Sequence, residues 1–210
     1  MPVSDYHECI FVHIPKCAGS AIEDSLSIKR RNKQQLHGPD GKGDFLQHMT
    51  IFEINKLLNE NQNKYFSFAI VRNPYSKLVS DWSWCKRWFK HKWLTTNDNT
   101  KVGFPSFESY ISFIENVGTN AWSHFKLQKE FIYDSQNKLK IDYICKIETL
   151  NTSFENIKQC IKNGDSIKLI KSNSSRHKPW RTYYSEDLYQ RVNKLYKDDF
   201  DILNYNFINL

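Results

Sequence analysis

The chain has no cysteine framework. Its five cysteines, Cys9, Cys17, Cys85, Cys145 and Cys160, are odd in number, widely spaced and contain no C-x-x-C pair. That pattern argues against a disulfide scaffold or a zinc site and for a reduced, cytoplasmic setting. Long hydrophobic runs are missing too. Residues Met1 to Glu8 are polar without a signal-peptide core, and no apolar stretch approaches the length of a membrane span. The expectation is a soluble protein with no membrane span. Nor is there a long Lys/Arg block: 30 basic and 23 acidic residues leave a formal charge of +7 that is dispersed along the chain. This balance favours an anionic ligand or substrate and gives no reason to expect nucleic acid as a partner. Repeats and low-complexity tracts are absent, so residues 1–210 read as a single domain.

Aromatic residues are plentiful, with 14 Phe, 11 Tyr and 6 Trp, enough for a sizeable core. The apolar runs Cys9–Val12 and Tyr65–Val71 read as strands covered on both faces, and Ile141–Ile147 as a third strand. Ser20–Glu23 and Thr50–Glu53 each have the spacing of a helix-capping box. The first puts Ile22 and Leu26 on an apolar stripe, the second Ile51, Ile54 and Leu58. Asn73 is placed to cap a helix with Pro74 in its first position, running to about Phe89 with Leu78, Trp82 and Cys85 on one side. Further helices are expected over Phe107–Val117, after a cap at Thr152 with Gly164 as its stop, and last from Ser185. Residues 28–47 and 95–105 read as loops. Strands alternating with helices predict an α/β fold, a P-loop-like parallel β-sheet flanked by helices, with ligand at the carboxyl ends of the strands.

Two turns at those ends carry the chemistry. The first, Pro15-Lys16-Cys17-Ala18-Gly19-Ser20, joins a strand directly to a helix and offers an ammonium, backbone N–H groups and a hydroxyl to an anion. It is not the common phosphate motif G-x-x-x-x-G-K-[ST], because Lys16 precedes Gly19 and no Lys-Ser/Thr pair follows. The second turn, Arg72-Asn73-Pro74-Tyr75 and on to Ser80, repeats the logic with a bidentate guanidinium fork. Two such turns in one sheet point to a ligand with phosphates at both ends.

The Pro15–Ser20 turn resembles the 5′-phosphosulfate loop of sulfotransferases that use 3′-phosphoadenosine 5′-phosphosulfate (PAPS), and Arg72 to Ser80 is similar to their 3′-phosphate motif. The pattern is nearest to the carbohydrate type, including heparan sulfate 2-O-sulfotransferases and small bacterial members. Cys145-Lys146-Ile147-Glu148-Thr149-Leu150 resembles the family's strand-then-Glu-x-Leu segment, and Asn173 to Lys178 stands where a late loop closes over the nucleotide. The resemblance implies that Pro15, Lys16, Cys17, Ala18, Gly19, Ser20, Arg72, Ser80, Arg176 and Lys178 bind PAPS as sulfuryl donor. It implies no required metal. Lys16 would also stabilise charge on the bridging oxygen, and Cys17 reads as a small loop residue because in-line transfer needs no cysteine nucleophile.

An acceptor hydroxyl needs a general base. Gln47-His48-Met49-Thr50 resembles the site where carbohydrate members place a catalytic His. His48 also lies just before the Thr50 cap, where the helix dipole disfavours a cationic imidazole. His13 reads as structural, and His37, His124 and His177 as weaker alternatives. Within the segment Asp81 to Trp93, which alternates aromatics with cations, Trp82 and Cys85 read as core, and Trp84 and Trp88 are candidate contacts for a small-molecule or carbohydrate acceptor. Two other readings compete: a P-loop kinase-like phosphotransferase, disfavoured by the missing Gly-Lys-Ser/Thr, and a basic polyanion-binding module. Oligomeric state is not legible.

Overall fold

The computed structural model describes residues 3–28, 44–58, 64–88, 94–95, 101–102, 104–170 and 177–209, the side chains of 88, 94, 95, 101 and 102 excepted. The chain divides into two compact units, residues 1–72 with 126–173, and residues 73–125 with 174–210.

The first unit is built on a four-stranded sheet. Its strands are β1 (Val3–Ser4), β2 (Cys9–Val12), β3 (Phe66–Val71) and β6 (Tyr143–Lys146), in the order β1-β2-β3-β6. β2, β3 and β6 run parallel, as expected, with Phe11 opposite Phe68 and Val71 opposite Lys146. The short β1, not foreseen from sequence, pairs antiparallel with β2 at the edge. Every residue of β2 is buried, as are Ser67 to Val71 of β3, which explains their near-continuous apolar character. β6 starts two residues later than the sequence reading. There Asp142 turns its carboxylate onto β3, accepting from the Ser67 N–H and hydroxyl at 2.7 Å each.

Helices α1 (Gly19–Ser25), α2 (Ile51–Leu58), α5 (Lys129–Ile132) and α6 (Leu150–Cys160) complete this unit. The capping box of α2 is present: the Thr50 N–H donates to Glu53 at 2.7 Å and the Glu53 N–H to the Thr50 hydroxyl at 3.3 Å. The expected box at Ser20 is not. α1 begins at Gly19 with Ala18 in the cap position, and Glu23 is buried, accepting from His13. The Thr152 cap is corrected as well. α6 opens at Leu150 out of a 3₁₀ turn, Ile147–Thr149, and the Thr152 hydroxyl donates to the Thr149 carbonyl inside the helix. α6 ends at Cys160 rather than at Gly164. The left-handed residue is Asn163 (φ 55°), and Gly164 is needed because a Cβ there would lie 1.9 Å from the Lys158 carbonyl.

The second unit holds α3 (Pro74–Trp88), a two-residue ladder of β4 (Leu94–Thr95) with β5 (Lys101–Val102), α4 (Phe107–Val117), α7 (Glu186–Leu195) and α8 (Lys197–Ile202). β4 and β5 fall where a loop was expected, and α8 follows the helix expected to be last. Asn73 caps α3 as predicted, accepting from the Tyr75 N–H at 3.1 Å. Ser185 caps α7 through the Leu188 N–H. Arg191 of α7 forks onto Glu115 of α4 at 3.0 and 2.6 Å.

A polar cluster is sealed inside this unit. Asp81 is fully buried and accepts from the Tyr110 hydroxyl at 2.8 Å and from His124 Nδ1 at 2.5 Å. Lys77, also buried, donates to the His124 carbonyl at 2.7 Å. Burial and the Asp81 charge hold the Tyr110 phenol well above its usual range.

Candidate active site

The turn after β2 is shaped by two left-handed residues that are not glycine. Lys16 has φ 65° and Ala18 φ 61°, while Cys17 between them keeps a negative φ. Pro15 and Lys16 are the central residues of a turn closed by the Cys17 N–H, which donates to the Ile14 carbonyl at 3.3 Å, and a positive φ at the residue after proline is what such a turn requires. Each left-handed non-glycine residue costs of order 1 kcal/mol, so surrounding contacts must hold the loop in this shape. Pro15, Cys17 and Gly19 are buried, whereas Lys16, Ala18 and Ser20 are half-buried.

Gly19 is required by a close approach. A Cβ there would lie 1.8 Å from His13 Nε2 and 2.0 Å from its Cδ2. The His13 ring is buried, bonded through Nδ1 to Glu23 at 2.7 Å and stacked on Phe11 at 5.7 Å. His13, the residue after β2, is therefore a structural wedge, in keeping with its reading as structural. The Cys17 thiol faces two oxygens, the Pro15 carbonyl at 3.5 Å and the Gln128 side-chain oxygen at 3.3 Å. Both accept, so the thiol's role in the loop is that of a hydrogen-bond donor.

Arg72 follows the last residue of β3, and its Nη1 donates to the Lys16 carbonyl at 3.1 Å. The two strand-end cations expected from sequence are thus joined through the loop's backbone. His48 precedes α2 and is half-buried. Its Nδ1 lies 3.0 Å from the His13 carbonyl, and its ring meets the His13 ring edge-on at 4.7 Å. A carbonyl only accepts, so Nδ1 carries the proton and Nε2 is the nitrogen able to take one from a substrate. Sequence reasoning placed His48 correctly before α2 but had no means of seeing its anchor.

The remaining candidates lie in the second unit. Ser80 occupies the second turn of α3 and is 1% exposed. Trp84 is half-buried and stacks on His124 at 4.7 Å, whose other neighbour Trp122 stacks at 4.1 Å. His124 is thus a buried structural residue of this unit. Trp88 closes α3, but its side chain is outside the described residues, as are Arg176 and His37. Lys178 is exposed, its N–H donating to the Tyr183 hydroxyl, and His177 Nδ1 lies 2.7 Å from the Lys178 carbonyl. Among the described residues, no group of three His, Cys, Asp or Glu side chains is gathered as a metal site. No helix among them is long and apolar enough to cross a membrane.

A tight turn between a buried parallel strand and a helix, with a second cation at the neighbouring strand's end, is the architecture of the P-loop-like α/β class. The chain belongs to the Sulfotransferase family, whose sequence profile matches residues 1–206. It is therefore an enzyme of sulfuryl transfer. No curated protein and no solved structure matches the chain.

Proposed function

We propose that the enzyme moves the sulfuryl group from PAPS to a hydroxyl or amine of a small-molecule or carbohydrate acceptor, with His48 as general base. The observation that carries the reading is the linkage within the first unit: the Lys16 turn, Arg72 bonded to its backbone, and His48 anchored on the carbonyl of His13 at the turn's entrance. The residues suit the donor's charge. The Lys16 ammonium and the left-handed turn around it suit a phosphate-like group, and the planar guanidinium of Arg72 suits a second one. When bound, PAPS supplies an activated sulfuryl group on its 5′-phosphate.

In this reading the Pro15–Ser20 turn holds the 5′ end through the Lys16 ammonium, the Ser20 hydroxyl and backbone N–H groups other than those of Pro15, which has none, and Cys17, which bonds the Ile14 carbonyl. Arg72 is assigned to the 3′-phosphate, and the resemblance alone assigns Ser80, Arg176 and Lys178 to the nucleotide. Lys16 places its ammonium where negative charge develops on the leaving phosphate oxygen, electrostatic stabilisation of the kind that dominates acyl- and phosphoryl-transfer enzymes. His48 Nε2 takes the acceptor's proton, and the imidazolium that forms keeps its Nδ1–H bond to the His13 carbonyl. Trp84 and Trp88 are the proposed acceptor contacts. The family match runs through both compact units, which supports reading them as one catalytic domain. All five cysteines are unbridged thiols and four are buried, in line with the proposed cytoplasmic setting.

Calorimetric titration separates this reading from its competitors. Adenosine 3′,5′-bisphosphate should bind without added metal, more tightly than ATP with Mg²⁺ and than unrelated oligonucleotides. Preference for Mg²⁺–ATP would favour the kinase-like reading, and salt-sensitive binding of any polyanion would favour a binding module.

A further inference from the structure

We infer that Gln128 is a positioning residue that locks the two phosphate-binding turns together, an inference that rests on the donor reading above. The parallel ladder between β3 and β6 ends at Val71 opposite Lys146, so the main chain of Arg72 lies beyond it. Gln128 takes over there. Its Nε2 donates to the Arg72 carbonyl and its Oε1 accepts from the Arg72 N–H, both at 2.8 Å. The Arg72 N–H only donates and its carbonyl only accepts, so these bonds fix which end of the amide is oxygen. The same Oε1 faces the Cys17 thiol at 3.3 Å, and Arg72 Nη1 returns to the Lys16 carbonyl at 3.1 Å.

The contacts close a ring: Gln128 to Arg72, Arg72 to Lys16, Lys16 along the chain to Cys17, and Cys17 back to Gln128. Gln128 is fully buried, so no solvent competes for these bonds. The ring spans the turn assigned to the 5′ end of the nucleotide and the residue assigned to its 3′-phosphate. A given bound conformation of adenosine bisphosphate presents its two phosphates at one separation. An enzyme gains from both only if the turns are held at that separation before binding. Gln128 supplies that preorganisation without touching the ligand.

The test compares the wild-type chain with Gln128→Met, an apolar residue of similar length, and Gln128→Glu, an isostere that accepts but does not donate when ionised. Calorimetry of each reads affinity for adenosine 3′,5′-bisphosphate and for adenosine 5′-phosphate, with the stoichiometry reporting the folded fraction separately. The expected result is a bisphosphate preference that falls about tenfold to hundredfold in both variants, the equivalent of one charge-assisted hydrogen bond, while affinity for the monophosphate changes little. A merely structural role would lower the stoichiometry or the melting midpoint and leave that ratio alone. An unchanged ratio in folded variants, or failure of both to fold, overturns the inference and leaves the donor reading standing. Absence of bisphosphate binding by the wild-type chain overturns the donor reading, and this inference with it.

Discussion

Replacing Gly19 by alanine tests the wedge that shapes the phosphate turn. Gly19 has no left-handed φ, so alanine meets no backbone objection at this position. The obstacle is steric: the added methyl would sit 1.8 Å from His13 Nε2, 2.0 Å from Cδ2 and 2.4 Å from Cε1. Three ring atoms stand in the way, so a small rotation does not relieve the clash. Nor is the ring loose, since Glu23 holds Nδ1 at 2.7 Å and Phe11 and His48 pack on it. Forcing a methyl into such packing costs about 3 kcal/mol. In a chain of this size that lowers the melting midpoint by about 6–12 °C. The diagnostic is a double-mutant cycle followed by thermal melting. His13→Ala alone is destabilising because Glu23 loses its bond, but it also vacates the space. Gly19→Ala added to His13→Ala should cost almost nothing, giving a coupling about equal to the whole cost of Gly19→Ala alone. Additive losses would refute the wedge.

The sealed cluster of the second unit predicts that Asp81→Ala costs about 3–5 kcal/mol in chemical or thermal unfolding, because Tyr110 and His124 lose their shared acceptor. In the first unit, Asp134 is held below its ordinary value of 3.8 by Lys140 and by the N–H groups of Lys138 and Gln136. A depressed carboxyl contributes its full stabilisation above that ordinary value and loses it as the pH falls below it through the lower folded-state value. Asp134→Asn should therefore narrow the gap between melting midpoints at pH 7 and pH 3, and an unchanged gap would contradict the assignment. Burial pushes the Cys9 thiol up to about 12 and Cys145 to about 11, and Cys17 and Cys85 are buried as well. Iodoacetamide at pH 8 should alkylate Cys160 alone in the native protein and all five thiols in denaturant, as read by mass spectrometry.

Local rules read directly from sequence served best where one residue's own chemistry decides the outcome. The Thr50–Glu53 box, the Asn73 cap with Pro74 behind it, and the buried parallel strands all follow from neighbours a few residues apart. The same rules failed where a distant residue claimed the group. Glu23 does not reach back to cap α1, because a buried His13 takes its carboxylate. Gly164 looked like a helix stop, but it is a close-packing residue against the Lys158 carbonyl, and Asn163 makes the left-handed turn.

The candidate site divides in the same way. Lys16, Arg72 and His48 were legible because cations and a histidine at strand ends and helix starts have direct chemical meaning. What holds them was not. The left-handed backbone at Lys16 and Ala18 carries no glycine to announce it, and Gln128 lies 56 residues from the Arg72 main chain it grips. The anchor of His48, the His13 carbonyl, is a backbone atom with no signature at all.

Sulfuryl transfer by the Lys16 turn and His48 is read out by following labelled sulfate from donor to acceptor. The protein is incubated with PAPS carrying radioactive sulfur and a panel of sugar, phenol, lipid and amine acceptors, beside Lys16→Ala and His48→Ala. The prediction is labelled product on at least one acceptor, with turnover falling about a hundredfold or more in each variant. Labelled product formed equally well by the variants, or no product on any acceptor, would rule out sulfuryl transfer by Lys16 and His48.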